Sequence, residues 1–151
     1  MADRIVEKVY AYITCEDQLL IFNHTRFPEA GIQVPGGTVE ENETAPEAVL
    51  REAREETGLD DLMLLSYLGM HPFDLSSVGG TGIQHRHFFH LRYTGAKKNL
   101  WRHYEKTPSD GYPEPIEFEF AWVKFSENMP ELAGDQGVML HKVNVQKGWH
   151  R

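Results

Sequence analysis

Gly37-Thr38-Val39-Glu40-Glu41-Asn42-Glu43-Thr44-Ala45-Pro46-Glu47-Ala48-Val49-Leu50-Arg51-Glu52-Ala53-Arg54-Glu55-Glu56-Thr57-Gly58-Leu59 is the stretch from which the fold is read. Its second half predicts a helix over Ala45–Thr57. Thr44 is placed to cap the first turn, and Glu47, three residues on, completes a capping box. Pro46 falls in the first turn, where its missing N–H is not needed. Gly58 suits the left-handed conformation that ends a helix. Pro46, Val49, Leu50, Ala53 and Thr57 recur at helical spacing and predict the side that packs on the core.

Glu52, Glu55 and Glu56 stand at i, i+3 and i+4, so their carboxylates leave one face of that helix. Like charges at this spacing repel, and a hard divalent cation with a preference for oxygen ligands would offset the repulsion. Arg51 is placed to pair with Glu47 and Glu55. The competing reading is an ordinary solvated, salt-bridged helix face. Two neighbouring features argue against it: Gly36-Gly37, where backbone can approach a ligand closely, and a further acid, Glu43, between loop and helix.

The spacing is more specific than the charge. Gly37, five residues, Glu43, seven residues, then Arg51-Glu52-Ala53-Arg54-Glu55-Glu56-Thr57-Gly58-Leu59 resembles the Nudix box. Each charged and glycine position of that pattern is matched; Ala53 replaces a bulkier aliphatic residue. Val34-Pro35-Gly36-Gly37 also resembles the family's entry into the loop. The resemblance implies a mixed β-sheet sandwiched between helices and hydrolysis of a phosphoanhydride in a nucleoside diphosphate derivative. It implies Glu52, Glu55 and Glu56 as metal ligands, with magnesium as the ion and manganese as the alternative. Gly37 would offer backbone contacts to substrate, and Arg51, Glu43 and Gly58 would shape the loop and helix. Metal would shield the phosphates and activate water, and a carboxylate would take the water's proton. Glu52 and Glu56 are the candidates for that base, with Glu119 as the candidate outside the box.

Around the box the chain reads as a mixed α/β or α+β arrangement in one domain over residues 1–151. Ile5–Thr14 alternates as a strand, with Val9, Ala11 and Ile13 on one face and Tyr10 and Tyr12 on the other. A turn at Glu16-Asp17 leads into Gln18–Asn23. His24–Gly31 reads as a loop, and Ile32–Val34 as a short extended piece stopped by Pro35-Gly36-Gly37. Met63–Gly69, Gln84–Tyr93 and Ile116–Phe125 are predicted strands. In the last, Ile116, Phe118, Phe120 and Trp122 oppose Glu117 and Glu119. Asn99–Pro115 is predicted to be a long polar loop and Gln136–Val145 a closing helix.

The hydrophobic fraction of 40% supports a folded domain. A net charge of −8 argues against binding a nucleic-acid polymer and leaves room for a small phosphorylated substrate approached through metal. No run approaches the ~18 apolar residues that span a membrane, and Met1–Lys8 has no signal-like apolar region. With Cys15 alone no internal disulfide forms. Cytoplasmic location is the expectation, and a homodimer is the assembly to look for, since dimers are frequent in such families.

Substrate contacts are less specified. Arg86, flanked by His85 and His87, is the candidate for a phosphate contact. The His85/His87 pair has the spacing of two transition-metal ligands but lacks a third. Trp101, with Tyr104, Tyr112, Arg102 and Lys106, is a candidate lid over a base, against the plainer reading of a loop anchor. The Ser-Gln-Pro-Trp-Pro-type run of NADH-cleaving members and the coenzyme A motif are missing. Pro72 lies thirteen residues beyond Leu59, near the proline of ADP-ribose hydrolases. Leu75, Ser76 and Ser77 stand where dinucleoside polyphosphate hydrolases carry tyrosine. Nucleoside triphosphates, nucleotide sugars, ADP-ribose and dinucleoside polyphosphates therefore all remain substrates to test. Two other functions are a nucleotide-sensing domain without turnover and an isoprenoid-diphosphate isomerase, for which Cys15 is poorly placed.

Overall fold

Alternation of apolar residues on both faces of one strand requires that strand to lie inside a sheet covered on both sides, and Ile5–Cys15 is such a strand. The computed structural model describes residues 4–105, 116–126 and 129–143. It holds strands β1 (Ile5–Cys15), β2 (Gln18–His24), β3 (Gly36–Thr38), β4 (Leu62–Asp74), β5 (Ile83–Tyr93), β6 (Leu100–Glu105) and β7 (Ile116–Lys124), and helix α1 (Ala45–Thr57). The mixed sheet runs β4-β5-β1-β2-β7-β6, with β3 paired to β1. β1 and β5 are parallel; the other pairs are antiparallel.

The two faces of β1 enter different cores. Val9, Ala11 and Ile13 pack with Ala48, Val49 and Ala53 of α1 and with Phe118 and Phe120 of β7. Tyr10 and Tyr12 pack on the opposite face with Leu19, Ile21, Val34, Phe88 and Leu132. The helix is the predicted one: Glu47 N–H donates to Thr44 Oγ1 at 3.2 Å, and Thr44 N–H donates to Glu47 Oε1 at 2.9 Å. Gly58 ends it at φ 75°. Its buried side is shifted from the predicted one, because Ala48 is buried and Pro46 is exposed.

Three predicted elements are corrected. Gly36-Gly37 does not stop an extended piece but continues as β3, since β1 and β2 pair only at Thr14–Leu19 and Cys15–Gln18 and then part. Residues 32–38 fill the gap, bonding β2 through Gln33–Phe22 and β1 through Gly36, Gly37 and Thr38. The predicted 99–115 loop contains β6, which the facing strand β7 pairs from Ile116 to Ala121; Lys106 and Tyr112 lie outside the described residues. Gln136–Val145 is no α-helix over its described part. It forms turns and a 3-10 segment at Leu140–Lys142, anchored where the Tyr12 hydroxyl donates to Gln136 O at 2.5 Å and accepts from Met139 N–H at 3.2 Å. A sequence with Gly134, Gly137 and short-range 3-10 bonds follows the sheet surface where a straight helix would not.

His90 lies in this interior, with Nε2 2.8 Å from Thr14 Oγ1. Burial is the main cause, with Arg92 secondary, of a pKa pushed down to about 4 from 6.5. Between those values the unfolded chain binds more protons than the folded one, so stability rises with pH. The contribution, on the order of 3 kcal/mol, is complete above pH 6.5 and is lost as pH falls through 4. Urea unfolding at pH 7 and pH 5 is expected to show a smaller acid-induced loss in His90→Gln than in wild type; equal losses would refute the assignment.

Candidate active site

A glutamate on a helix reaches a neighbouring loop only if that loop offers donors and no side chains in the way. α1 and β3 meet on these terms. Gly36 N–H donates to Glu56 Oε1 at 2.9 Å, fixing a carboxylate on a residue only 8% exposed. A Cβ on Gly37 would fall 2.1 Å from Glu52 Cδ, so the Glu52 carboxylate occupies the space a side chain there would need. A Cβ on Gly36 would fall 2.6 Å from both Tyr10 Cδ1 and Val9 O. Neither glycine has positive φ among the residues that do. Crowding, rather than backbone conformation, excludes side chains at both positions.

Arg51 organises the charge. It donates to Glu43 through Nε and Nη2 at 2.7 and 3.0 Å, to Thr38 O at 3.0 Å, and to Glu52 Oε2 at 3.1 Å. Its Nη1 also lies 3.6 Å from Glu55 Oε1. The paired contact with Glu43 spans loop and helix and is the geometry in which guanidinium and carboxylate bind most strongly. Arg51 holds the Glu43 carboxyl below its ordinary range and is itself shifted upward by that partner. The predicted Arg51–Glu47 pair is not formed, because Glu47 is committed to the helix cap. Burial pushes the Glu52 carboxyl up, and Arg51 and Lys8 oppose that shift.

Glu52, Glu55 and Glu56 therefore lie along one edge of α1, but they point to different partners: Arg51 for the first two and the Gly36 amide for the third. Among the described residues, no three His, Cys, Asp or Glu side chains already converge as a metal site. The donors nonetheless suit a hard divalent cation. All are carboxylate oxygens, Glu52 is desolvated beside a bare backbone, and Glu55 is 49% exposed and can turn inward.

The other candidate residues separate. Arg86 is 6% exposed on the sheet face that carries Tyr10, with its guanidinium 3.8 Å above the Phe73 ring and 5.2 Å from that of Tyr10. Glu119 shares that sheet face, but its Oε2 is 3.3 Å from Arg102 Nε. Trp101 lies elsewhere: its Nε1 donates to Thr57 O at 3.1 Å, and its ring stacks on Phe120. With His103 Nε2 2.9 Å from Glu55 O, it satisfies carbonyls at the end of α1. Trp101 is thus an anchor of the helix C-terminus. His85 and His87 both meet Glu7 of β1, Nδ1 to Oε2 at 3.0 Å and Nε2 to Oε1 at 2.7 Å, and among the described residues they form no three-residue metal group.

Lys8 and Tyr10 were not among the sequence candidates. Lys8 Nζ donates to Thr38 Oγ1 at 3.2 Å, and its charge acts on Glu52. Both residues read in the sequence as ordinary strand positions; only the β1–β3 register, Lys8 opposite Thr38 and Tyr10 opposite Gly36, brings them to the box.

Comparison with known proteins agrees with this construction. The NUDIX domain family model matches residues 6–143. The chain belongs to the Nudix family and is a hydrolase of phosphoanhydrides, a pyrophosphohydrolase in class. Among solved structures it resembles a UDP-X diphosphatase (TM-score 0.61, 18% identity, covering 100% of this chain and 66% of that one). It also resembles a MutT NUDIX hydrolase from Burkholderia pseudomallei (TM-score 0.58, 22% identity, 94% and 100% covered). A third is the E. coli dihydroneopterin triphosphate pyrophosphohydrolase (TM-score 0.52, 19% identity, 88% and 84% covered). At these identities the structural likenesses speak for the fold. A search of curated protein sequences finds no significant match. No described helix is long and apolar enough to cross a membrane.

Gly36→Ala is expected to destabilise the chain by roughly 1–3 kcal/mol, since its Cβ meets packed ring and backbone atoms. Gly37→Ala is expected to displace the Glu52 side chain and to reduce activity more than stability. Denaturation midpoints set beside turnover test the contrast; equal stability of Gly36→Ala and wild type would contradict it.

Proposed function

We propose that this chain cleaves a phosphoanhydride bond in a nucleoside diphosphate derivative by attack of activated water, with a divalent metal held by Glu52, Glu55 and Glu56. The observation that carries the reading is the contact of Glu52 and Glu56 with the side-chain-free Gly36-Gly37 backbone. There, two acids of the helix, Glu56 buried and Glu52 partly buried, are held against a strip of backbone. Magnesium, or manganese in its place, would supply shielding of the phosphate charges and a lowered pKa of water.

The protein groups have distinct tasks. Arg51 keeps Glu52 oriented and ties α1 to the loop through Glu43 and Thr38 O. Gly36 N–H fixes Glu56. Glu52 and Glu56 are the candidates to accept the water's proton; Glu119 of β7, paired with Arg102 of β6, is the third. Gly37 supplies backbone to the substrate, and Arg86 supplies a positive charge for a phosphate. Trp101 is not assigned a substrate contact, since its ring and N–H are engaged at the end of α1. The fold is read as one domain, acting on a small phosphorylated molecule.

A sensing domain without turnover would also bind nucleotide, and the complete set of box acids favours catalysis over it. The deciding experiment is phosphate release in magnesium from nucleoside triphosphates, nucleotide sugars, ADP-ribose and dinucleoside polyphosphates. Glu56→Gln and Glu52→Gln are expected to lower kcat by roughly 10²–10⁴-fold, and chelation of metal to abolish turnover. Glu119→Gln serves as the comparison for the base outside the box. Indistinguishable background rates for wild type and Glu56→Gln across the panel would defeat the hydrolase reading.

A further inference from the structure

A hydroxyl becomes a useful nucleophile when a base lies within hydrogen-bond reach of it and a third group fixes that base. β4, β5 and β1 assemble such a chain on the α1 side of the sheet, from residues that the acidic helix does not use. Tyr67 Oη lies 3.0 Å from His87 Nδ1. Across the same ring, His87 Nε2 lies 2.7 Å from Glu7 Oε1, and the second oxygen of that carboxylate lies 3.0 Å from His85 Nδ1. Strand register produces the alignment. Val9 stands opposite His87 and Glu7 opposite His85, while Tyr67 stands opposite Phe89 and packs its ring there, with centroids 5.1 Å apart.

The protons of this chain have definite places. Hydrogen bonds from His87 foremost, and from His85, hold the Glu7 carboxyl below its ordinary range, so it acts as an acceptor. It accepts from His87 Nε2–H, which in the neutral ring leaves the Nδ1 lone pair facing the Tyr67 hydroxyl. The phenol donates to that nitrogen. Burial, and then the charge of Glu7, push the Tyr67 phenol upward, so its oxygen stays protonated and depends on His87 to take the proton during attack. The oxygen is also reachable: Tyr67 is 54% exposed on the edge strand β4. Tyr104 provides the contrast. It is 50% exposed, but its hydroxyl donates to Glu117 Oε2 at 2.6 Å, and a carboxylate is a far weaker base than an imidazole.

We infer that Tyr67, His87 and Glu7 form a second reactive site, in which the Tyr67 oxygen takes an acyl group from a donor with a good leaving group. Tyr67 Oη attacks the carbonyl carbon as its proton passes to His87 Nδ1. The bond from that carbon to the leaving group then breaks, and His87 returns the proton to the departing atom. The products are an acyl ester on Tyr67 and the free leaving group. A phenol ionises near pH about 10, so transfer runs forward from leaving groups more acidic than that. Thioesters and aryl esters meet this condition; alkyl esters and amides do not. His87 acts on the reacting proton, and Glu7, acting through His87, is a positioning residue. The site shares no residue with Arg51, Glu52, Glu55 or Glu56.

The test is incubation of the full chain with p-nitrophenyl acetate and, separately, with S-phenyl thioacetate. Peptide mass spectrometry then reads the acetylation rates of Tyr67 and Tyr104 in the same molecules. In wild type, Tyr67 is expected to react on the order of 10²-fold faster than Tyr104 with either donor. His87→Gln keeps a polar side chain at that position and is expected to bring the ratio close to one. Glu7→Gln is expected to lower the ratio, and Glu7→Asp, which restores the charge, to recover part of the loss. Equal rates at the two tyrosines in wild type would overturn the site, as would a wild-type ratio in His87→Gln or Glu7→Gln. The wild-type ratio decides the matter on its own if a variant fails to fold.

Discussion

Two side chains are missing from the chain at Gly36 and Gly37 because other groups already fill their space. The Tyr10 ring and the Val9 carbonyl crowd the first position, and the Glu52 carboxylate crowds the second. Everything distinctive about the site depends on this closeness. It lets a three-residue strand lie in the opening between β1 and β2, and it lets α1 approach near enough for Glu56 to accept from a backbone amide. Any larger residue would push helix and sheet apart, and the carboxylates would then face solvent as an ordinary charged helix surface.

The same closeness creates an electrostatic problem that the fold must offset. Glu43, Glu52, Glu55 and Glu56 are gathered within one loop and the helix that follows it, and burial makes the ionised carboxylate of Glu52 harder to hold. Arg51 answers most of it by contacting Glu43, Glu52 and Glu55 and by fixing the Thr38 carbonyl. Its planar fork can serve several oxygens at fixed angles, which an ammonium could not do with the same geometry. Lys8 adds a second positive charge from the sheet. The remaining negative charge suits the divalent cation proposed for this site.

Opposite faces of the sheet divide the labour. On the α1 side, Trp101 and His103 of β6 satisfy carbonyls at the end of the helix and so hold the catalytic candidates in register. On the other side lie Tyr10, Arg86 and Glu119, with Gly36 packed against the Tyr10 ring. Turns within residues 129–143 cover part of that face through Tyr12 and Arg86. That face is thus partly covered by irregular backbone, the sort of segment that varies most readily without altering the sheet.

What the sequence by itself determined is short in range. The cap at Thr44–Glu47, the stop at Gly58, the opposed faces of Ile116–Trp122 and the register of the acids with Gly37 all follow from spacings within a turn, a strand or one motif. These local preferences agree with the final structure, so they are legible without it. The tertiary structure alone decided the rest. β3 exists only because β1 and β2 part; β6 forms only against β7; the closing segment abandons a helix to follow buried Tyr12. Arg51 takes Glu43 rather than Glu47 because the cap has already used Glu47. Tyr10 becomes part of the site only through its pairing with Gly36, 26 positions away along the chain. Such contacts depend on which distant backbone lies alongside, and no local periodicity carries that information.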